Sequence, residues 1–255
     1  MENISSTQNQ KVKNWTKLAT KKQRTREGSY LLDGWHLVQE ALNYDAPIKA
    51  IMVTQEQFDL HNQDFKDIDE IYIVTFEVMQ HITDTVTPQG IAAEVGIPVA
   101  YTEVPNELSG TWLLMDEVQD PGNIGTMIRT ADAAGFTGVV AGNKTADIFS
   151  PKVVRAMQGS QFHIDVKQGS TLDWIDMLHA EGIPVYGTEL NKDAVDYREI
   201  EKSDSFALIM GNEGNGVQPA VLERTSKNLY IPIAGKAESL NVAVSAGILM
   251  FELKK

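Results

Sequence analysis

Short apolar runs alternate with helix-spaced segments along most of the chain. In the first hundred residues, apolar runs at 30–32, 48–53, 71–74 and 91–95 predict strands. Between them Leu37, Val38, Ala41 and Leu42 recur at helical spacing, as do Phe76, Met79 and Ile82, and 56–62 reads as a weaker helix. This pattern predicts a small α/β unit. Ahead of it, 5–22 reads as a polar helix, with Lys13, Lys17 and Lys21 four apart on one face and Trp15 and Leu18 as a docking stripe. The stretch 97–110, with two prolines, Asn, Ser and Gly and no period, reads as a linker. Beyond it, strands are predicted at 112–115, 138–141, 164–166, 185–187, 206–210 and 229–233, with helices at 124–134, 151–158, 172–180 and 219–225. Such alternation predicts a parallel sheet with helices on both faces and a ligand site beyond the carboxyl ends of its strands. The expected division is an N-terminal domain over 1–97, a linker over 98–110 and a second domain over 111–255.

The last predicted helix departs from a surface pattern. From Leu240 to Phe251 it is apolar with only small polar breaks, so it is expected to be buried on most sides. It is too short to cross a bilayer. Ser239 stands at the N-cap position, and with Asn241 it marks a helix mouth whose unpaired N–H groups can hold an anion or a polar ligand.

Composition narrows the classes. The 255 residues contain no cysteine, which excludes disulfides, thiolate metal sites and cysteine nucleophiles and fits a cytoplasmic protein. The N-terminal stretch has no apolar core of the length a signal peptide needs, and no run is long enough for a membrane helix. The five histidines show no ligand spacing, so no metal site is expected. A formal net charge of −13 argues against a general nucleic-acid binder, but the charge is uneven. Residues 1–26 carry Lys11, Lys13, Lys17, Lys21, Lys22, Arg24 and Arg26 against one acid, Glu2. A basic arm on an acidic body reads either as a phosphate-contacting surface or as a solvated basic helix.

Three loops carry candidate chemistry. In DPGNIGTMIRT, Pro121 and Gly122 force a turn, Asn123 is a natural helix cap, and Arg129 lies on the first turns of the helix that follows. In MGNEGNGV, three glycines follow a buried strand, and Glu213 can accept a hydrogen bond or place a cation. The glycine spacing matches neither the dinucleotide fingerprint nor the phosphate-binding P-loop. The third is the helix mouth with Ser239 and Asn241.

Together these loops resemble the three signature motifs of the SpoU/TrmH family of RNA ribose 2′-O-methyltransferases. Asn123 with Arg129 matches the first, Gly211-Asn212-Glu213-Gly214 the second, and Ile231-Pro232-Ile233 with Ser239-Leu240-Asn241-Val242 the third, in the family's order. The resemblance covers 111–255 closely. The basic start and Leu32-Asp33-Gly34 resemble, more weakly, the substrate-binding domain of members that act on 23S rRNA.

The resemblance implies a SPOUT fold, a parallel sheet closed by a C-terminal trefoil knot, working as a homodimer with S-adenosylmethionine as methyl donor. It implies that Gly211, Ile231 and Leu240 hold the cofactor, with Thr188, Glu189, Leu190 and Met210 lining its site. Arg129 is expected to clamp the phosphate beside the target ribose, since lowering a guanidinium pKa from about 13.8 to near 7 to make it a base would cost roughly 9 kcal/mol. Asn123, Ser239 and Asn241 are expected to hold the ribose and the helix mouth, and Glu213 to orient Arg129 or Asn123. RNA is expected on the basic arm. The alternatives are a tRNA methyltransferase of the same family and a non-catalytic RNA-binding or ribosome-assembly protein on the same fold.

Overall fold

The computed structural model describes residues 1–105, 108–189 and 193–255. The chain divides into two compact units, one formed by 1–98 and 149–162, the other by 99–148 and 163–255.

In the first unit, β1 (Glu2–Ile4) leads into α1 (Gln10–Lys17) and α2 (Lys21–Glu27), followed by β2 (Ser29–Asp33), α3 (Trp35–Asn43), β3 (Ile48–Val53), α4 (Gln55–His61), β4 (Ile71–Val74), α5 (Phe76–Thr83) and β5 (Ile91–Gly96). The sheet order is β1-β4-β3-β5-β2, with β1, β4 and β3 parallel and β5 antiparallel to both its neighbours. The apolar residues of α1 close one face of this sheet. Val12, Trp15 and Leu18 are buried with Met52, Val74 and Met79, and Trp15 meets Tyr72 edge-on at 5.1 Å.

The expected single helix over 5–22 is two helices. Thr20 caps α2 by accepting from the Gln23 N–H, and this break puts Lys21 on a different helix from Lys13 and Lys17. The basic arm is also partly consumed by the fold. Arg24 is buried and donates from Nη1 to the carbonyls of Leu18 (2.7 Å) and Ala19 (2.8 Å), so it seals the α1–α2 turn and does not face solvent. Lys11 lies over the Tyr72 ring at 4.2 Å, donates to the Tyr72 hydroxyl and pairs with Glu2 at 3.3 Å. Lys17, Lys21, Lys22 and Arg26 are exposed, and Lys13 is half-buried.

The segment 149–162, expected in the second domain, belongs to the first unit. Its helix α7 (Pro151–Met157) buries Val153, Val154 and Met157, Phe149 packs on Tyr30 at 4.7 Å, and the Gln158 carbonyl meets His36 Nε2 at 3.1 Å.

The second unit comprises β6 (Thr111–Met115), α6 (Pro121–Ala133), β7 (Gly138–Ala141), β8 (Asp165–Gln168), α8 (Thr171–Ala180), β9 (Val185–Thr188), β10 (Val195–Asp196), β11 (Phe206–Met210), α9 (Pro219–Leu222), β12 (Lys227–Tyr230) and α10 (Val242–Leu253). Among the described residues its sheet is seven-stranded, in the order β10-β12-β9-β11-β6-β7-β8, and every pairing is parallel. Strand β11 is fully buried, as expected of a parallel strand covered on both faces. The segment after 98 packs on this unit: Leu108 is buried in its core, and Lys167 donates to the Ala100 carbonyl at 3.0 Å. The order sets β12, β9, β11 and β6 side by side, so the loops leaving their carboxyl ends are neighbours.

Helix α10 is buried on one side only. Ala243, Ala246, Leu249, Met250 and Leu253 face inward, while Val244 and Phe251 are 52% and 57% exposed. The burial on most sides expected from its apolar sequence is thus not met within one chain. No helix among the described residues is long and apolar enough to cross a membrane.

Candidate active site

A cleft of about 510 Å³ opens where these neighbouring loops meet. Its walls come from the end of β9 (Thr188, Glu189), the end of β11 (Met210, Gly211), the segment after β12 (Ile231, Ser239, Leu240) and the start of α10 (Asn241). Of the residues expected to bind the cofactor, Thr188, Glu189, Met210, Gly211, Ile231 and Leu240 line it. Leu190 lies outside the described residues.

Backbone geometry shapes this cleft. Asn212 and Gly216 exchange two backbone hydrogen bonds of 2.9 Å, closing the loop after β11 into a tight ring. A Cβ on Gly211 would stand 2.2 Å from the Gly216 carbonyl carbon and the Val217 nitrogen, so the ring closes only on glycine. Asn212 supports the turn from within. Its Oδ1 accepts from the N–H groups of Gly214 (3.0 Å) and Asn215 (3.1 Å), and its Nδ2 donates to the Glu117 carbonyl at 2.9 Å. Glu117 has a φ of 56°, a left-handed conformation that a non-glycine residue holds only when its surroundings impose it.

A polar relay joins the three loops. Asn241 Nδ2 donates to Asn123 Oδ1 at 2.9 Å, and Asn123 Nδ2 donates to Glu213 Oε1 at 3.0 Å. Glu213 also accepts from the backbone N–H groups of Asp120 (2.9 Å) and Gln119 (3.1 Å). Burial pushes the Glu213 carboxyl up, but the hydrogen bonds from Asn123, Asp120, Gln119 and its own N–H prevail and hold it below the usual carboxylate range.

Two caps differ from expectation. Asp120, not Asn123, caps α6: its Oδ1 accepts from the Asn123 N–H at 2.9 Å, and Pro121 takes the first helical position. Asn123 is thereby left with a side chain free to bridge Asn241 and Glu213. Asn241, not Ser239, caps α10, accepting from Ala243 (2.9 Å) and Val244 (3.3 Å). Ser239 stays exposed in the cleft wall.

Neither Asn123 nor Arg129 lines this cleft, but Asn123 is joined to its wall through Asn241 and Glu213, and among the described residues no such bond brings in Arg129. It is exposed on α6, six residues after Asn123 and so about a third of a turn around the helix from it. Among the described residues no hydrogen bond joins it to Glu213, whose oxygens serve Asn123, Asp120 and Gln119.

Asp116 is a residue the motifs do not single out. It is 1% exposed at the end of β6, and its carboxylate accepts from the Gln218 N–H (3.0 Å), Gln218 Nε2 (3.1 Å) and Thr171 Oγ1 (3.2 Å). It therefore fastens the residue that follows the glycine loop to β6. An acid directly after four apolar strand residues was its only signal in the sequence. Among the described residues no group of three or more metal-capable side chains occurs.

The cleft fits S-adenosylmethionine in kind. Its volume is in the usual range for ligand sites, Leu229, Ile231, Leu240 and Leu249 offer apolar walls, and the ring at Gly211 lets a ligand reach the backbone.

Comparisons with known proteins agree. The SpoU rRNA Methylase family matches residues 110–251, and an MRM3-like substrate binding domain matches residues 9–93. The chain is 48% identical over 254 residues to the 23S rRNA (guanosine(2553)-2′-O)-methyltransferase RlmP of Bacillus subtilis (strain 168), with all of both chains covered. An AdoMet-bound rRNA methyltransferase from Sinorhizobium meliloti superposes with a TM-score of 0.89 at 34% identity, covering 98% of this chain and 96% of that one. The SpoU methyltransferase AviRb from Streptomyces viridochromogenes, in complex with AdoMet, does so with a TM-score of 0.84 at 27% identity, covering 96% and 97%. With its motif loops gathered at one cleft and these matches spanning both units, the chain belongs to the SpoU family of S-adenosylmethionine-dependent RNA ribose 2′-O-methyltransferases.

Proposed function

We propose that the chain methylates a ribose 2′-hydroxyl in 23S rRNA, at the guanosine equivalent to the one named for its Bacillus subtilis relative. Identity of 48% over the full length of both chains, the substrate-binding unit included, supports 23S rRNA over tRNA. The observation that carries the catalytic reading is the relay Asn241–Asn123–Glu213, which ties all three motif loops into one wall of the cleft.

When bound, S-adenosylmethionine supplies an electrophilic methyl group on a sulfonium. Met210, Gly211, Ile231 and Leu240 would hold it, with Thr188 and Glu189 at the rim. The protein's task is then alignment and charge. Asn123 and Asn241 engage each other and Glu213, so they position the helix mouth and the Asp120 turn. Ser239, exposed beside them, is free to meet the ribose. Arg129 clamps the phosphate next to the target ribose and stabilises oxyanion charge as it develops.

The chain acts as a homodimer in the cytoplasm. The exposed apolar residues Val244 and Phe251 on α10 support a second copy on that face. An Arg129 that does not line its own chain's cleft supports its serving the cleft of the other copy. The absence of cysteine fits the compartment.

The test uses radiolabelled S-adenosylmethionine and 23S rRNA from cells lacking the protein. An alkali-resistant labelled dinucleotide is expected, absent with Arg129→Ala; label confined to tRNA would overturn the substrate. Mixing Arg129→Ala with a cleft-blocking Gly211→Val chain should restore activity. A mixture as inactive as its parts would place Arg129 in its own chain's site.

A further inference from the structure

A groove of about 540 Å³ lies in the first unit, lined by none of the motif residues discussed above. It opens at the carboxyl ends of the three parallel strands β1, β4 and β3, where ligands generally meet such sheets. Its composition is unusual for a surface that serves RNA. Apart from Glu56, no lining residue carries a charge, and the wall combines apolar Ile4, Ile73, Val74 and Pro88 with amides, hydroxyls and one aromatic ring.

That ring is Phe76, the first residue of α5, 53% exposed and without an aromatic partner among the described residues. Thr75 fixes its backbone by capping the helix at the Val78 N–H. The far wall is equally fixed. Gly90 has a φ of +81°, and a Cβ there would meet the Thr54 hydroxyl at 2.8 Å, so β5 begins flush against the end of β3. The Gln89 side chain folds over Gly34 and accepts from the Trp35 N–H at 3.2 Å, which leaves its Nε2 without a partner among the described residues. Asn3, Ser5 and Gln57 add further donors and acceptors.

A groove without cations does not select phosphate. A rigid exposed ring beside amide groups matches a nucleobase, whose face stacks and whose edge hydrogen-bonds. The exposed cations of α1 and α2 lie elsewhere: Lys49 at the start of β3 donates to the Glu27 carbonyl and Thr16 meets the His81 carbonyl late in α5, whereas the groove opens at the other ends of these elements. We propose that this groove takes an unstacked base from a single-stranded part of the RNA, stacked on Phe76 and read by Gln89 and its neighbours. The proposal rests on the chain's being an RNA methyltransferase.

The test measures affinity of the full chain for fluorescein-labelled oligo(A), oligo(U) and an RNA duplex of the same length at several salt concentrations. Phe76→Ala is expected to weaken single-strand binding about tenfold, within the range for loss of one stacked base, without changing the salt slope. Phe76→Tyr should restore it, and duplex and S-adenosylmethionine binding should be unchanged. A 5-iodouridine oligonucleotide should crosslink to the peptide holding Phe76. Unaltered single-strand affinity in Phe76→Ala, an equal loss for duplex, or a crosslink mapping elsewhere would overturn the proposal. A chain that fails to methylate any RNA while binding oligonucleotides through Phe76 would instead refute the enzymatic reading and leave the groove standing.

Discussion

Glu213→Ala tests whether the relay organises the site. The substitution removes the acceptor of three hydrogen bonds, from Gln119 N, Asp120 N and Asn123 Nδ2. Bonds to a charged acceptor are worth about 1.5–3 kcal/mol each when desolvated. Glu213 is exposed, and the freed donors can reach water, so about 2 kcal/mol in total is the appropriate scale. For a unit of this size that is a fall in Tm of about 4–8 °C. Glu213→Gln separates charge from geometry. Its oxygen can still accept from Asn123 and Asp120, but its amide nitrogen would face the Gln119 N–H, donor against donor, so about half the loss is expected. The assay follows the unfolding transition that shifts on adding S-adenosylmethionine, alongside kcat on 23S rRNA. Turnover should drop at least tenfold in Glu213→Ala, because Asn123 loses the bond that fixes which way its amide points. If alanine and glutamine variants both melt within about 1 °C of the unaltered chain and turn over normally, the relay is incidental and the reasoning fails.

Acidity offers a second handle on the same carboxylate. Its folded pKa lies below the unfolded value of about 4.3, so its bonds contribute in full above that pH and are lost as pH falls through the lowered pKa. The stability gap between the unaltered chain and Glu213→Ala, from urea midpoints, should be constant between pH 8 and 5 and close below about pH 4; a gap that closes near neutrality would point to another group. Arg129→Ala should leave Tm and S-adenosylmethionine affinity unchanged in calorimetry while turnover falls at least a hundredfold, about 2.7 kcal/mol of transition-state stabilisation. Replacing Lys17, Lys21 and Lys22 by alanine should lower the slope of log K against log salt by about 0.7 for each phosphate no longer neutralised, read by anisotropy. Deleting residues 1–26 is not a substitute, because Ile4, Val12, Trp15 and Leu18 belong to the core.

Much of the architecture was legible because its strands are uninterrupted apolar runs. Strand β3 falls where the run 48–53 places it, and β11 where 206–210 does. Strand β1 was not, since three residues with one buried side chain carry no period, and its pairing with β4 is a long-range event. The α1–α2 break was masked by evenly spaced lysines, whereas the deciding residue was Thr20. At the site, the cleft-lining residues were legible as motifs, but their division of labour was not. A sequence shows that Asn123 and Asn241 can cap helices; only the fold shows that Asp120 takes the first cap and frees Asn123 for the relay. Asp116 shows the opposite limit. A carboxylate after a strand usually faces water, and nothing local says that Gln218, 102 positions later, supplies its donors.

The assignment of 149–162 to the first unit has a consequence for biosynthesis. Phe149 covers Tyr30, and Val153, Val154 and Met157 are buried, so the first unit has no complete interior until residue 162 has left the ribosome. By then β6, α6 and β7 of the second unit already exist. Vectorial maturation, one domain closing before the next emerges, is therefore not open to this chain. A fragment ending at residue 98 would present Tyr30 to solvent and would be an open half rather than an autonomous RNA-binding module.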